Sequence, residues 1–414
     1  MPVVFDGPAD GRYNVTNVHV SSEARAMASR PASPSSPAAR PPAGDLRDQV
    51  RLACIPGIGS RLRRLLLERF GTPAGVFSAS PAEIASVGRI SRRLAAAIPA
   101  LADGPAADDV LALCAERSID ILPEGAGGYP SLLSRIDDPP TLLFVRGTLV
   151  PQDALAVAIV GARHATSYGL QTAERLGAAL ARAGYTVVSG LARGIDAAAH
   201  RGALRAGGRT IAVLGSGVLH VYPPEHADLA DEIAGAGAVL SELPPLTAPV
   251  QGTFPQRNRI VSGLSLGVVV VQAAERSGAL ITTRLAAEQG REVFAVPGPI
   301  DCRLSRGCHR LLRDGAKLVE TVDDILEEFG PLFETAVAAD GRTVKAAAEL
   351  HLGDVERQVL AACDRLAAAA DGAAAIDDVV ADTGLAASQV LATLGVLEMR
   401  RLLRRLPGGR IARA

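Results

Sequence analysis

LAVAIVGARHATSYGLQTAERLGAALARAGYTVVSG, residues 155–190, is the stretch from which the fold can be read. Two short aliphatic runs, Leu155–Val160 and Tyr185–Val188, each end at a turn that contains glycine. Neither alternates apolar with polar residues, as a strand with one wet face would, so both read as strands buried on two sides. Between them Tyr168–Gly184 places apolar residues at helical spacing, with Gly184 as the stop. Strand, helix and second buried strand make a parallel crossover unit.

The unit repeats downstream. TIAVLG (210–215), AVLSEL (238–243), GVVVVQ (267–272) and EVFAVPG (292–298) are further β-branched or aliphatic runs, separated by helical stretches such as GIDAAAHRGALRAGG (194–208). The expected fold class is α/β: an extended Rossmann-like, doubly wound parallel sheet over residues 121–330. Residues 111–147 lead into it through short strand-like pieces.

The flanks differ in composition. SRPASPSSPAARPPAGD, within residues 1–45, is rich in Pro, Ala and Ser without apolar periodicity and is expected to be disordered. Residues 46–120 read as a helical module. CIPGIGSRLRRLLLERFG (54–71) has a glycine turn, Ser60 as expected N-cap and a helix ending at Gly71, and ASVGRISRRLAAAI (85–98) is a weaker copy capped by Ser91. The pair resembles helix-hairpin-helix or SAM-like units, whose turn N–H groups can hold a phosphate, and equally suits a plain helical bundle. After a linker at 331–350, residues 351–414 suggest a winged helix: Thr383-Gly384 as the turn, Ala386–Met399 as second helix, and a hairpin about Gly408-Gly409. Its Arg400, Arg401, Arg404, Arg405, Arg410 and Arg413 fit an anionic partner or a solvated charged face.

The 414 residues carry a net charge of −1, so a nucleic-acid footprint must be a local patch. With no Trp, eight Phe and five Tyr, base stacking has few platforms. No signal-peptide pattern opens the chain and no apolar run of about 18 residues occurs, so no membrane partner is expected. The five cysteines are scattered and odd in number, which argues against disulfides and points to a reducing, cytoplasmic setting.

In an open parallel sheet, ligands gather beyond the carboxyl ends of the strands. The segments arriving there include Gly161–Gly169, Ser189–Asp196, Gly215–Gly217, the long loop after Ser241-Glu242 that holds TFPQRNRIVSGLS (253–265), and Glu275–Thr282. Their Gly, Ser and Arg suit close backbone approach to phosphates and charge neutralisation. GARHATSYG is not a dinucleotide fingerprint, and no Walker lysine motif or nucleophile elbow is present. Asp196 and His200, four apart on one helix, are the best acid/base candidates together with Glu242 and His164, yet such a pair is more often structural. Cys302, Cys308 and His309 lack metal-ligand spacing and read as packing groups. No catalytic residue, metal or cofactor is expected.

VGAR…TSYG (160–169), SGLARGIDAAAH (189–200), GSGVLHVYP (215–223), SELPP (241–245), FPQRNRIVSGLS (254–265), SGALITTRLAAEQGREVFAVPG (277–298) and GCHRLLRDGAKLV (307–319) resemble, in this order, the DNA-processing protein A (DprA/Smf) family. The resemblance implies a Rossmann domain that dimerises, binds single-stranded DNA in a basic pocket and helps load the recombinase RecA. Carried over by motif position, the DNA-binding set is Arg163, Thr166, Gly190, Arg193, Phe254, Arg257, Asn258, Ser277, Gly278 and Thr282. Phe254 stacks a base or anchors its loop; Arg259 meets phosphate or braces against an acid such as Glu242. Ala162 and Ala279 stand where serines are common in the family, and His226 where an asparagine is frequent. The implied role is a non-enzymatic mediator in recombination or natural transformation. The alternative is a phosphoribohydrolase-like enzyme on a related scaffold, although its Pro-Gly-Gly-x-Gly-Thr-x-x-Glu motif is missing.

Overall fold

Strand β3 (Ala156–Gly161) lies parallel between β4 (Thr186–Ser189) and β7 (Gly267–Val271), and this register organises the molecule. The computed structural model describes residues 43–88, 90–100, 106–329, 336–337, 343–344, 352–369, 372–399 and 402–413. The expected tail, apart from its last residues, and most of the 331–350 linker lie outside them, as do Arg400 and Arg401. With β1 (Ile119–Pro123), β2 (Leu142–Gly147), β5 (Thr210–Val213), β6 (Ala238–Ser241), β8 (Glu292–Ala295) and β9 (Lys317–Leu318), the sheet has nine strands in the order β1-β2-β6-β5-β4-β3-β7-β8-β9. Seven are parallel. β2 runs antiparallel to β6 and pairs with an antiparallel β1, so the sheet is mixed at that edge.

Alternation within the strands explains why their sequence is apolar throughout. Ala156, Ala158, Val160, Val268 and Val270 join one core, while Val157, Ile159, Val269 and Val271 join the core on the opposite face. Successive side chains point to opposite faces, so a strand covered twice needs no polar position. The helices Thr253–Gly263 and Gly278–Glu288 supply Ile260, Val261 and Ala286 to the first core; Ser167–Arg182 and Ile195–Arg205 supply Leu176, Leu180 and Ala199 to the second.

The segment expected as a loop after β6 is the main correction. Thr253–Gly263 is a helix, so Phe254, Arg257, Asn258 and Arg259 occupy fixed helical positions. Pro255 sits in its first turn, where the missing N–H has no intrahelical acceptor, so it does not break the helix.

In the N-terminal module the Ser60–Phe70 helix is capped by Gly59, not by the Ser60 side chain, and ends at Gly71. Ser91 does cap its helix, accepting the Leu94 N–H at 3.2 Å. Val50 and Ala53 pack with Leu142 and Phe144 of the sheet, so module and sheet share a core. At the other end, helices Asp354–Ala369, Ile376–Thr383 and Ala387–Met399 and a Leu403–Leu406/Arg410–Arg413 hairpin enclose a core of their own, and Gly384 takes the left-handed conformation at the turn. Among the described residues no single helix is long and apolar enough to cross a membrane.

Candidate nucleic-acid interface

From β3 the chain winds through β4, β5 and β6 to one side, then crosses to β7 on the other. The loops after β3 and β7 therefore part, and a crevice opens between them at the carboxyl edge. A cleft of about 680 Å³ occupies this position. Residues at the amino-terminal ends of three helices line it: Asp196 of Ile195–Arg205, Phe254 of Thr253–Gly263, and Ser277 and Gly278 at the start of Gly278–Glu288. Each such terminus presents unpaired N–H groups and roughly half a positive charge.

Arginines reinforce that field. Arg163 is exposed in the cleft, 5.8 Å from the Phe254 ring centroid, and has no acidic partner within ion-pair distance among the described residues. Arg257 lines the same cleft but is only 6% exposed, and its Nη1 donates to the Val213 carbonyl. Burial pulls its pKa down to about 10, partly opposed by Asp196, so it stays charged at neutral pH. Gly190 makes this burial possible, because a Cβ there would overlap the Arg257 guanidinium.

The remaining candidates divide. Asn258 donates to the Gly278 carbonyl at 3.4 Å and joins two walls of the cleft. Ser277 caps its helix by accepting the Ala279 N–H, and Thr282 lines the cleft although almost wholly buried. Phe254 is held between Arg163 and the Tyr222 ring, with 5.5 Å between the ring centroids, so it anchors the wall while still facing the cavity. Two expectations move outward. Thr166 is not in the lining; its hydroxyl caps Ser167–Arg182 and accepts from Gln272 Nε2 at 2.7 Å. Arg193 sits at a small annex by Tyr222 and Pro223, paired with Glu225. Arg259 braces the structure: it meets Glu242 through both terminal nitrogens, at 3.0 and 2.8 Å, and Asp138 through Nε. Burial disfavours its charge, but Glu242 and Asp138 outweigh that and hold its pKa up.

Asp196 and His200 form no hydrogen bond with each other. Asp196 accepts the N–H groups of Gly190 and Ala192 at 3.2 and 3.3 Å and so fixes the turn after β4. Burial pushes its carboxyl pKa up, against the pull of Arg257. The Thr210 hydroxyl donates to the Val187 carbonyl, so His200 Nδ1, 2.7 Å away, carries the proton and donates to Thr210. Burial lowers the His200 pKa to about 3. Cys308 is buried and its thiol faces the Val270 carbonyl.

Sequence reasoning missed Arg276 and Tyr222 as members of this site. Arg276 is exposed in the cleft, and its position directly before Ser277-Gly278 was the available signal.

Guanidinium groups and helix amino termini gathered at a switch point define the class: a Rossmann-like protein with a cationic cleft at the carboxyl edge of its sheet. Residues 121–330 match the family model of DNA recombination-mediator protein A, 344–409 that of the DprA winged helix domain, and 51–98 a SAM-like helix-hairpin-helix tandem. The DNA processing protein DprA of Bacillus subtilis is 46% identical over 220 residues, which are 53% of this chain and 74% of the relative. Protein Smf of Synechocystis is 33% identical over 383 residues, 87% of this chain and 96% of that one. The crystal structure of DprA from Streptococcus pneumoniae superposes with a TM-score of 0.61 at 36% identity, covering 68% of this chain and 97% of that one. The chain belongs to the DprA/Smf family of DNA-processing recombination mediators.

Proposed function

We propose that the cleft binds single-stranded DNA and that the protein, acting as a cytoplasmic homodimer, hands the strand to a RecA-type recombinase during homologous recombination or natural transformation. The carrying observation is that two exposed arginines, Arg163 and Arg276, line the same cleft as three helix amino termini at the switch point. Contacts of this kind neutralise phosphates without reading sequence. Phe254 and Tyr222 add aromatic surface beside them, which unpaired bases can use and a stacked duplex cannot. The proposed role is binding rather than catalysis, in keeping with the structural hydrogen bonds that occupy Asp196 and His200.

The test is a salt-dependent anisotropy titration with single-stranded, duplex and mononucleotide ligands. Arg163→Ala and Arg276→Ala should each weaken single-strand binding whatever the sequence, and lower the slope of log K against log salt by about 0.7, the value per phosphate contact on a single strand. Wild-type affinity and slope in both variants would remove the cleft from the DNA site. Release of free base from a mononucleotide by the purified protein would restore the hydrolase alternative. Light scattering with and without DNA checks the dimer, and RecA assembly on a strand coated by single-strand-binding protein checks the hand-over.

A further inference from the structure

A second cationic cavity, of about 560 Å³, adjoins the cleft, and Arg276 lines both. Its other bounds include Arg306, His309, Arg310 and Arg313, against one acid, Glu275. Arg306 and Arg313 are exposed and have no acidic partner within ion-pair distance among the described residues. Arg310 reaches only Asp314, at 3.6 Å, with both side chains more than half exposed. So open a pair contributes little and exchanges readily for another anion. Four guanidinium groups against a single acid leave the cavity with a net positive charge that attracts an anion.

The spacing indicates what kind of anion. Arg306, Arg310 and Arg313 stand at i, i+4 and i+7 of the Arg306–Arg313 helix, so they share one face. At 1.5 Å per residue that row extends about 10 Å, longer than a single phosphate needs. Ile300, 89% exposed, adds an apolar surface at the same cavity for the face of a base.

We propose that this cavity is an outer track for the nucleotides of a single strand leaving the cleft, with Arg276 as the joint between the two sites. The inference rests on the single-strand reading of the cleft, and oligonucleotide length separates the two. The full chain is titrated with oligothymidylates of about four and about sixteen nucleotides, the range of known single-strand site sizes. Arg306→Ala/Arg313→Ala should leave the short oligonucleotide bound as in the wild type. It should weaken the long one roughly tenfold or more and flatten its salt slope by about 1.4, two contacts' worth. Arg306→Lys/Arg313→Lys, which keeps the charge, should recover most of the loss. An unchanged long-strand affinity and slope would overturn the outer track, as would equal weakening at both lengths, which would mean the variant had damaged the cleft or the fold. Arg163→Ala tests the cleft separately: it should weaken both lengths, and its silence at both would sink the cleft reading whatever the outer arginines do.

Discussion

Arg257 and Arg259 stand two residues apart on one helix and both are buried, yet they are compensated differently. Arg259 has two carboxylates, Glu242 and Asp138, and its charge is spent inside the fold. Arg257 donates to one backbone carbonyl and feels Asp196, while its Nε has no hydrogen-bond partner. Its positive charge is therefore less fully cancelled and contributes to the field in the cleft, which Arg163 and Arg276 extend to solvent. His200 gives a residue-scale prediction. It is neutral in the fold, with a pKa near 3 rather than the ordinary 6.5. Between those values the unfolded chain binds more protons than the folded one, so acid favours unfolding. The urea midpoint should fall as pH drops from about 6.5 towards 3, and His200→Asn should flatten that part of the profile. An identical pH dependence in the variant would show that His200 does not titrate on unfolding.

The decisive element is the Thr253–Gly263 helix. It presents Phe254, Arg257, Asn258 and Val261 to the cleft, while Ile260 and Val261 also join the core. The Arg259–Glu242 pair pins it to the end of β6, and Arg63 of the N-terminal module donates to the Glu242 carbonyl at 3.3 Å. One wall of the cleft is thus held by both the sheet and the module. Glu242→Gln should destabilise the fold by about 3 kcal/mol, the lower end for breaking a buried pair, because Asp138 still faces Arg259. It should also weaken strand binding by loosening the helix. Urea denaturation alongside anisotropy measures both, and an unaltered midpoint would show that the pair is dispensable. That this segment is a helix was hard to read. Pro255 and its paired arginines look like loop chemistry, and only the packing of Ile260 and Val261 into the core shared with the Gly278–Glu288 helix favours the helical arrangement.

Across the whole molecule, the proposed DNA contact lies at the central sheet rather than in the flanking domains. The Ala387–Met399 helix of the winged-helix domain contains no Lys or Arg, and its exposed residues include Ala387, Ser388, Gln389, Leu391, Ala392 and the acidic Glu398. With no cation of its own to neutralise phosphates, that surface is poorly suited to be the principal contact for a nucleic-acid backbone. A chain lacking residues 351–414 should therefore keep most of its single-strand affinity. A truncation that abolished binding would instead place the principal contact in the C-terminal domain.

Local pattern by itself determined the Rossmann-like sheet, a helical module before it, a winged helix after it, and the edge at which a ligand belongs. Strand burial, helical periodicity and glycine stops are written residue by residue, and the order of elements sends every loop after a parallel strand to one edge. On the same local reading TFPQRNRIVSGLS, with Arg257 and Arg259, is a cationic cluster at that edge. What each arginine does was decided only by the tertiary structure. Arg163 and Arg276 face solvent, Arg257 turns inward over Gly190, Arg259 closes on Glu242, and Arg193 pairs with Glu225 at the rim. Composition records the charge, but its use depends on which carboxylates and carbonyls lie within hydrogen-bonding distance, and those partners come from segments far away in the chain.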